Sequence, residues 1–154
     1  MEKISIRTLQ NAEVMLRITM AITLLIAGAS KFCSEGGFHA YYLKQFSNEA
    51  LRINLPILLF DTYLTLIPYL EVVIGLLLLT SIKRRLMIVI WIAYFISLEL
   101  GHYLLEEFTS ANMIIPYVVM GTLTYVLPAH SYVWLRIRPM LVLENIPYPL
   151  ERLR

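Results

Sequence analysis

Four long apolar stretches govern what this chain can become. They run from about Val14 to Ser30, Ile57 to Thr80, Leu86 to Leu105, and near Asn112 to Leu127. A bilayer's hydrocarbon core is about 30 Å thick, and ~20 helical residues cross it. In lipid a backbone must satisfy its own hydrogen bonds, so each stretch is predicted to be a helix. Pro68 and Pro116 do not oppose this, because membrane helices tolerate proline where neighbours repair the freed carbonyls. The composition agrees: 58% of the 154 residues are apolar and 16% charged, against about 45–50% and about 25% in a soluble domain. A soluble globule could not cover itself with so little polar surface. A soluble enzyme, a disordered tail and a disulfide-stapled scaffold are all excluded, the last by a single cysteine, Cys33. The expected fold class is all-α: a polytopic membrane protein, one domain over 1–154, built as a four-transmembrane-helix bundle.

The first stretch could be read as a signal peptide, since Ala27-Gly28-Ala29 looks like a cleavage site. Glu2 and Glu13 ahead of it, and the later spans, favour a retained helix. Orientation follows from basic residues. Lys3, Arg7 and Arg17, then Lys83, Arg84 and Arg85, then Arg136, Arg138, Arg152 and Arg154 fall on one side of an even-span topology. They make up ten of the 13. The positive-inside rule therefore places both termini in the cytoplasm. The net charge of +2 is a topology signal, with no basic stripe for nucleic acid. Between the first two spans, Phe38, Tyr41, Tyr42, Leu43 and Phe46 recur at helical spacing, predicting a short interfacial helix over about 37–47 on the outer face. The tail, 136–154, reads as an irregular cytoplasmic segment held near anionic lipid. Trp134 belongs to an interfacial aromatic belt.

Ionisable residues inside the spans carry the functional information. On the first helix Arg17 and Lys31 lie nearly four turns apart and share a face, with Ala21 and Gly28 beside them for close helix approach. Asp61, Thr65, Pro68, Glu71 and Gly75 fall in one arc of the second helix. Glu99, His102 and Glu106 form a stripe on the third. Fifteen Leu, Ile, Phe and Val residues between Ile57 and Leu79 supply about −0.3 to −0.6 kcal/mol each toward insertion. They outweigh Asp61 and Glu71, at up to ~2.5–3.5 kcal/mol apiece. The acids should still seek partners. The expectation is an inner Arg17–Glu71 pair and an outer Lys31–Asp61–Glu99–His102 cluster.

At these residues the chain resembles the DoxX/MauE-like membrane proteins. The likeness lies in Leu16-Arg17 followed by Ala27-Gly28-Ala29-Ser30-Lys31-Phe32, and in Ile67-Pro68-Tyr69-Leu70-Glu71-Val72-Val73-Ile74-Gly75-Leu76-Leu77-Leu78. It extends from about Val14 to Leu127. It implies a four-helix bundle in the bacterial cytoplasmic membrane, associated with quinone-linked oxidoreductases or with maturation of a periplasmic dehydrogenase. By motif match Arg17, Gly28, Lys31, Pro68, Glu71 and Gly75 carry over.

For Arg17 and Glu71 a structural ion pair is weighed against a proton or quinone-headgroup site, and the structural role is preferred. Glu99-Leu100-Gly101-His102 has the E-x-x-H pattern of bundle di-iron sites, but such sites need two copies and more glutamates. His39 approaching His102 and Glu99 would make a mononuclear metal site, a weaker alternative to a paired histidine. His102 and His130 fall on opposite sides, too far apart for one haem iron. Cys33 alone cannot run a dithiol cycle. These readings lead to a non-catalytic accessory or anchor subunit of a redox-associated complex, with lipid and other membrane or periplasmic subunits as partners. No cofactor is assigned to the chain itself, and quinone would be reached through the complex. One alternative is a quinol-handling subunit with Lys31, Asp61, Glu99 and His102 relaying protons; another, ranked last, is a small-molecule or lipid carrier.

Overall fold

The computed structural model describes residues 5–34, 37–47 and 56–129. Regular structure among them is entirely helical: α1 (Ile6–Cys33), α2 (Gly37–Phe46), α3 (Ile57–Thr80), α4 (Arg84–Leu104), α5 (Phe108–Asn112) and α6 (Ile115–Val126). Ser5 caps α1 by accepting from the Arg7 N–H at 3.3 Å. Between α3 and α4 the chain reverses over Ser81–Lys83, with Ser81 and Lys83 at positive φ, 59° and 45°. The left-handed Ser81 ends α3 in the manner usually given to glycine.

Three helices, α1, α3 and α4, are long and apolar enough to cross a membrane, at 28, 24 and 21 residues. At ~1.5 Å per residue each matches or exceeds a hydrocarbon core of about 30 Å. The stretch expected to form a fourth span over 112–127 holds one helix that is shorter than expected. Asn112 ends α5, and α6 restarts at Ile115 and holds only 12 residues, about 18 Å of helix. Pro116 lies in the first turn of α6, where its missing N–H would have had no helical partner. Proline here begins a helix rather than interrupting one. Leu127 ends α6 with extended backbone, the conformation imposed on a residue before proline, here Pro128. The helix expected over 37–47 is present as α2. His130, Trp134 and the tail over 136–154 lie outside the described residues.

The bundle is organised around α1 and α3, which pack against each other more extensively than any other pair. Two glycines set their distance. A Cβ on Gly28 would stand 2.8 Å from Val72 Cγ2 and 3.0 Å from the Pro68 carbonyl oxygen. One on Gly75 would stand 2.9 Å from Leu25 Cγ and 3.0 Å from the Ala21 oxygen. The backbones approach so closely that no side chain fits between them. On the other side α4 lies against α6, where Gly121 admits the Trp91 indole and Trp91 Nε1 donates to the Tyr117 oxygen at 3.2 Å. The fully buried centre comprises Met20, Leu24, Ile67, Leu78, Ile88 and Trp91. Outward faces carry Ile18, Ile22, Leu66, Val73, Leu76, Val89, Val119 and Leu123, an apolar belt suited to hydrocarbon.

Candidate functional site

The antiparallel α1–α3 seam fixes which charges meet. Gly75 faces Ala21, and Gly28 faces Pro68 and Glu71. Side chains on a helix lean toward its N-terminus. Lys31 therefore leans back along α1 toward Gly28, and Glu71 leans along α3 toward the same level. They converge: Lys31 Nζ donates to Glu71 Oε1 at 2.7 Å and to Oε2 at 2.8 Å. Tyr94, from α4, donates its hydroxyl to Glu71 Oε1 at 2.6 Å. Three helices are thus tied at one carboxylate, which is almost wholly buried. Tyr63 and Ser97 add a second α3–α4 link, their hydroxyls 2.7 Å apart.

This corrects the expected Arg17–Glu71 pair. Arg17 leans away from Glu71 for the same geometrical reason, toward the N-terminus of α1. There its Nε donates to Glu13 Oε1 at 3.1 Å, and its Nη1 donates to the Leu78 oxygen at 2.7 Å and to the Ser81 hydroxyl. Glu13 Oε1 also accepts from Arg84 Nε at 2.7 Å, and Arg84 Nη2 donates to the carbonyls of Thr124 and Leu127 at 2.6 and 2.9 Å. One buried carboxylate holds two guanidiniums. Each guanidinium in turn satisfies carbonyls left unpaired at a helix C-terminus, Arg17 on α3 and Arg84 on α6. Glu13 and Arg84 were missed as interior residues by sequence reasoning. The i, i+4 spacing of Glu13 and Arg17 is a visible signal for the first. Tyr94 had none, being one ring among ten tyrosines.

The expected four-membered outer cluster does not assemble. Lys31 is bound to Glu71. Asp61 Oδ1 meets His39 Nε2 at 2.9 Å, with both side chains partly exposed. His102 Nδ1 meets Glu107 Oε2 at 2.8 Å. Glu99, half-buried, makes no hydrogen bond or ion pair among the described residues. His39, Glu99 and His102, weighed as metal ligands, therefore go separate ways, and among the described residues no three His, Cys, Asp or Glu side chains converge. The physical reason is competition. Lys31 is held by Glu71, Asp61 meets His39 on the adjacent α2, and His102 meets Glu107 one turn away, so none of the three reaches Glu99.

Lys31 and His102 do share a cavity. It measures about 290 Å³ and lies between α1, α2, α3 and α4, with Phe38, Tyr42, Phe46, Tyr63 and Leu98 in its wall. Lys31 Nζ also stands 5.0 Å from the centre of the Phe38 ring, within cation–π range. Partial burial pushes the Tyr42 hydroxyl above its ordinary range, with the Glu107 and Tyr41 charges adding to the effect. Tyr42 consequently remains a neutral, proton-bearing group. The arrangement can bind and orient a small molecule beside an amine, an imidazole and a phenol. Comparison with protein families, with curated proteins and with solved structures returns no match.

Proposed function

We propose that this chain is an integral membrane accessory subunit of a redox-associated complex, of the DoxX/MauE-like kind. In this reading it sits in the bacterial cytoplasmic membrane as a four-span bundle. The α5–α6 segment serves as the fourth, shortened pass, α2 lies on the outer face and both termini are cytoplasmic. The observation that carries the reading is the seam between α1 and α3. Five of the six motif positions behind the resemblance, Gly28, Lys31, Pro68, Glu71 and Gly75, meet there in one continuous strip of backbone contact and ion pairing. The sixth, Arg17, caps the far end of α3. With its interior charges tied to one another, the bundle is suited to holding a partner in place. The alternative of a quinol-handling relay draws less support, because Lys31, Asp61, Glu99 and His102 divide among separate partners.

Gentle detergent extraction of the tagged full chain, with identification of co-purifying proteins, tests the proposal. A stoichiometric oxidoreductase or its maturation factor is the expected companion. Recovery as a lone chain from its native membrane, or with a partner of no redox chemistry, would overturn the subunit reading.

A further inference from the structure

We infer that the cavity between α1, α2, α3 and α4 is a binding site for a flat, uncharged one- or two-ring compound carrying a carbonyl at one edge and a hydroxyl at another. This inference stands on the cavity's own chemistry and does not depend on the subunit reading.

Size comes first. An apolar cavity of about 150 Å³ accommodates benzene. At about 290 Å³ this one has room for roughly two fused rings. Shape follows from the wall. Phe38, Tyr42, Phe46 and Tyr63 present aromatic surface, and Leu98 closes the α4 side. Flat rings are favoured among such neighbours by offset and edge-on contacts. Phe46 is itself held by stacking on Phe60, ring centres 4.3 Å apart and nearly parallel. His102 is braced edge-on against Tyr42 at 5.9 Å. The wall is thus assembled before a ligand arrives, which lowers the ordering cost of binding.

Polarity comes from two groups. Lys31 has three N–H donors, and two are committed to Glu71. The third is left for an acceptor such as a ligand carbonyl. His102 gives Nδ1 to Glu107, which leaves Nε2 as the ring's remaining polar atom. A hydroxyl both donates and accepts, so it matches Nε2 in either protonation state of the ring. Charge selects against ions. The Lys31 ammonium is already matched by Glu71, and His102 by a carboxylate, so an anion entering this apolar wall would lose its hydration without gaining a free counter-charge. Gly101 gives access for testing. A Cβ there would meet Phe46 Cζ, at 3.8 Å, so a longer side chain at this lining position would take up cavity space beside the Phe46 ring.

The probe is 7-hydroxycoumarin, a fluorescent two-ring lactone with its hydroxyl opposite the carbonyl. Binding is read by fluorescence titration of the full chain in nanodiscs at about pH 6, where the probe's phenol keeps its proton, with empty nanodiscs subtracted and coumarin read by displacement of the probe. Saturable one-to-one binding is expected, with coumarin, which lacks the hydroxyl, bound about tenfold more weakly. Gly101→Leu should abolish binding of both while preserving the helical circular dichroism and thermal transition. Should that variant misfold, His102→Ala keeps the test open: it should bind both compounds equally, at the weaker coumarin level. Non-saturable uptake matching the empty discs, equal affinity for the two compounds in the unaltered protein, or full discrimination in His102→Ala would each overturn the inference. Displacement of the probe by a single-chain fatty acid at equal potency would do so as well, by identifying the cavity as a lipid-tail groove.

Discussion

At the scale of single residues, Glu71 ties three helices together, because it accepts from Lys31 on α1 and Tyr94 on α4 while almost fully buried. Removing one member of a buried pair strands the other, at a cost of roughly 3–5 kcal/mol, whereas removing both can be nearly neutral. Glu71→Leu and Lys31→Met should each lower the thermal stability of the detergent-solubilised protein strongly. Together they should recover much of the loss. Arg17→Met combined with Glu71→Leu should instead be additive, because Arg17 is bound to Glu13, Leu78 and Ser81. Coupling energies from the two double-mutant cycles decide between the pairings. A larger coupling for Arg17 than for Lys31 would reject the geometry described above. The sequence made these charges visible as interior residues but did not pair them correctly. Spacing gives the face and depth of a residue, while the partner depends on which way its side chain leans, and here that lean carries Arg17 and Glu71 apart. Glu13 shows the same gap from another side: a carboxylate near the start of a span reads as a terminal charge until a second guanidinium, Arg84, arrives from 71 positions away.

At the scale of elements, the seam between α1 and α3 rests on absence of side chain. Adding a methyl at Gly28 would bring it to 2.8 Å from Val72 Cγ2 and 3.0 Å from the Pro68 carbonyl oxygen. The valine methyl could rotate aside, but the carbonyl belongs to the α3 backbone and can move only with the helix. Gly28→Ala is therefore expected to destabilise by about 1–3 kcal/mol, the usual range for overpacking. Gly101→Ala, with nearest contact 3.8 Å, should be neutral or slightly stabilising, as alanine restricts the unfolded chain more than glycine does. Equal thermal transitions for the two variants would mean that the helices are farther apart than described. The elements themselves were largely legible beforehand. α2 and α3 match their expected bounds within a residue, and α4 within two at its start, because apolar runs bounded by Pro56, Ser81 and the Lys83–Arg85 cluster leave few other choices. α1 begins eight residues earlier than expected, at Ile6. Its first two turns are polar and helical, capped by Ser5, and hydropathy alone does not register such turns. The fourth stretch holds α6 within its expected bounds, but uniform apolarity over 112–127 does not show that the helix starts only at Ile115, with Pro116 in its first turn, and ends at Val126, before Pro128.

At the scale of the whole molecule, the basic residues divide between folding and orientation. Arg17 and Arg84 were counted in the positive-inside argument, yet both are consumed inside the bundle, bound to Glu13 and to helix-end carbonyls. Glu13 cancels one of these two charges, and the partial negative charge of the helix-end carbonyls faces the other. Among the described residues, the basic groups exposed at that end are Arg7, Lys83 and Arg85, and these are what an insertion machinery could sense. The proposed orientation then places Cys33, exposed at the opposite end of α1, on the outer side of the membrane. A membrane-impermeant maleimide should label Cys33 in intact cells as fully as in lysed ones. Lys83→Gln with Arg85→Gln should leave the fold intact, judged by an unchanged thermal transition, while lowering the fraction of Cys33 labelled from outside. Arg84→Gln should act the other way. It removes the donor that joins Glu13 to the ends of α4 and α6, so stability should fall by roughly 3–5 kcal/mol, while the chains that still fold keep Cys33 outside. Cys33 protected in intact cells but reactive after lysis would reverse the topology, and with it the placement of α2 and of the Lys31–His102 cavity. Three charges next to one another in sequence, Lys83, Arg84 and Arg85, would in this way separate by experiment into two that tell the chain which way to face and one that holds it together.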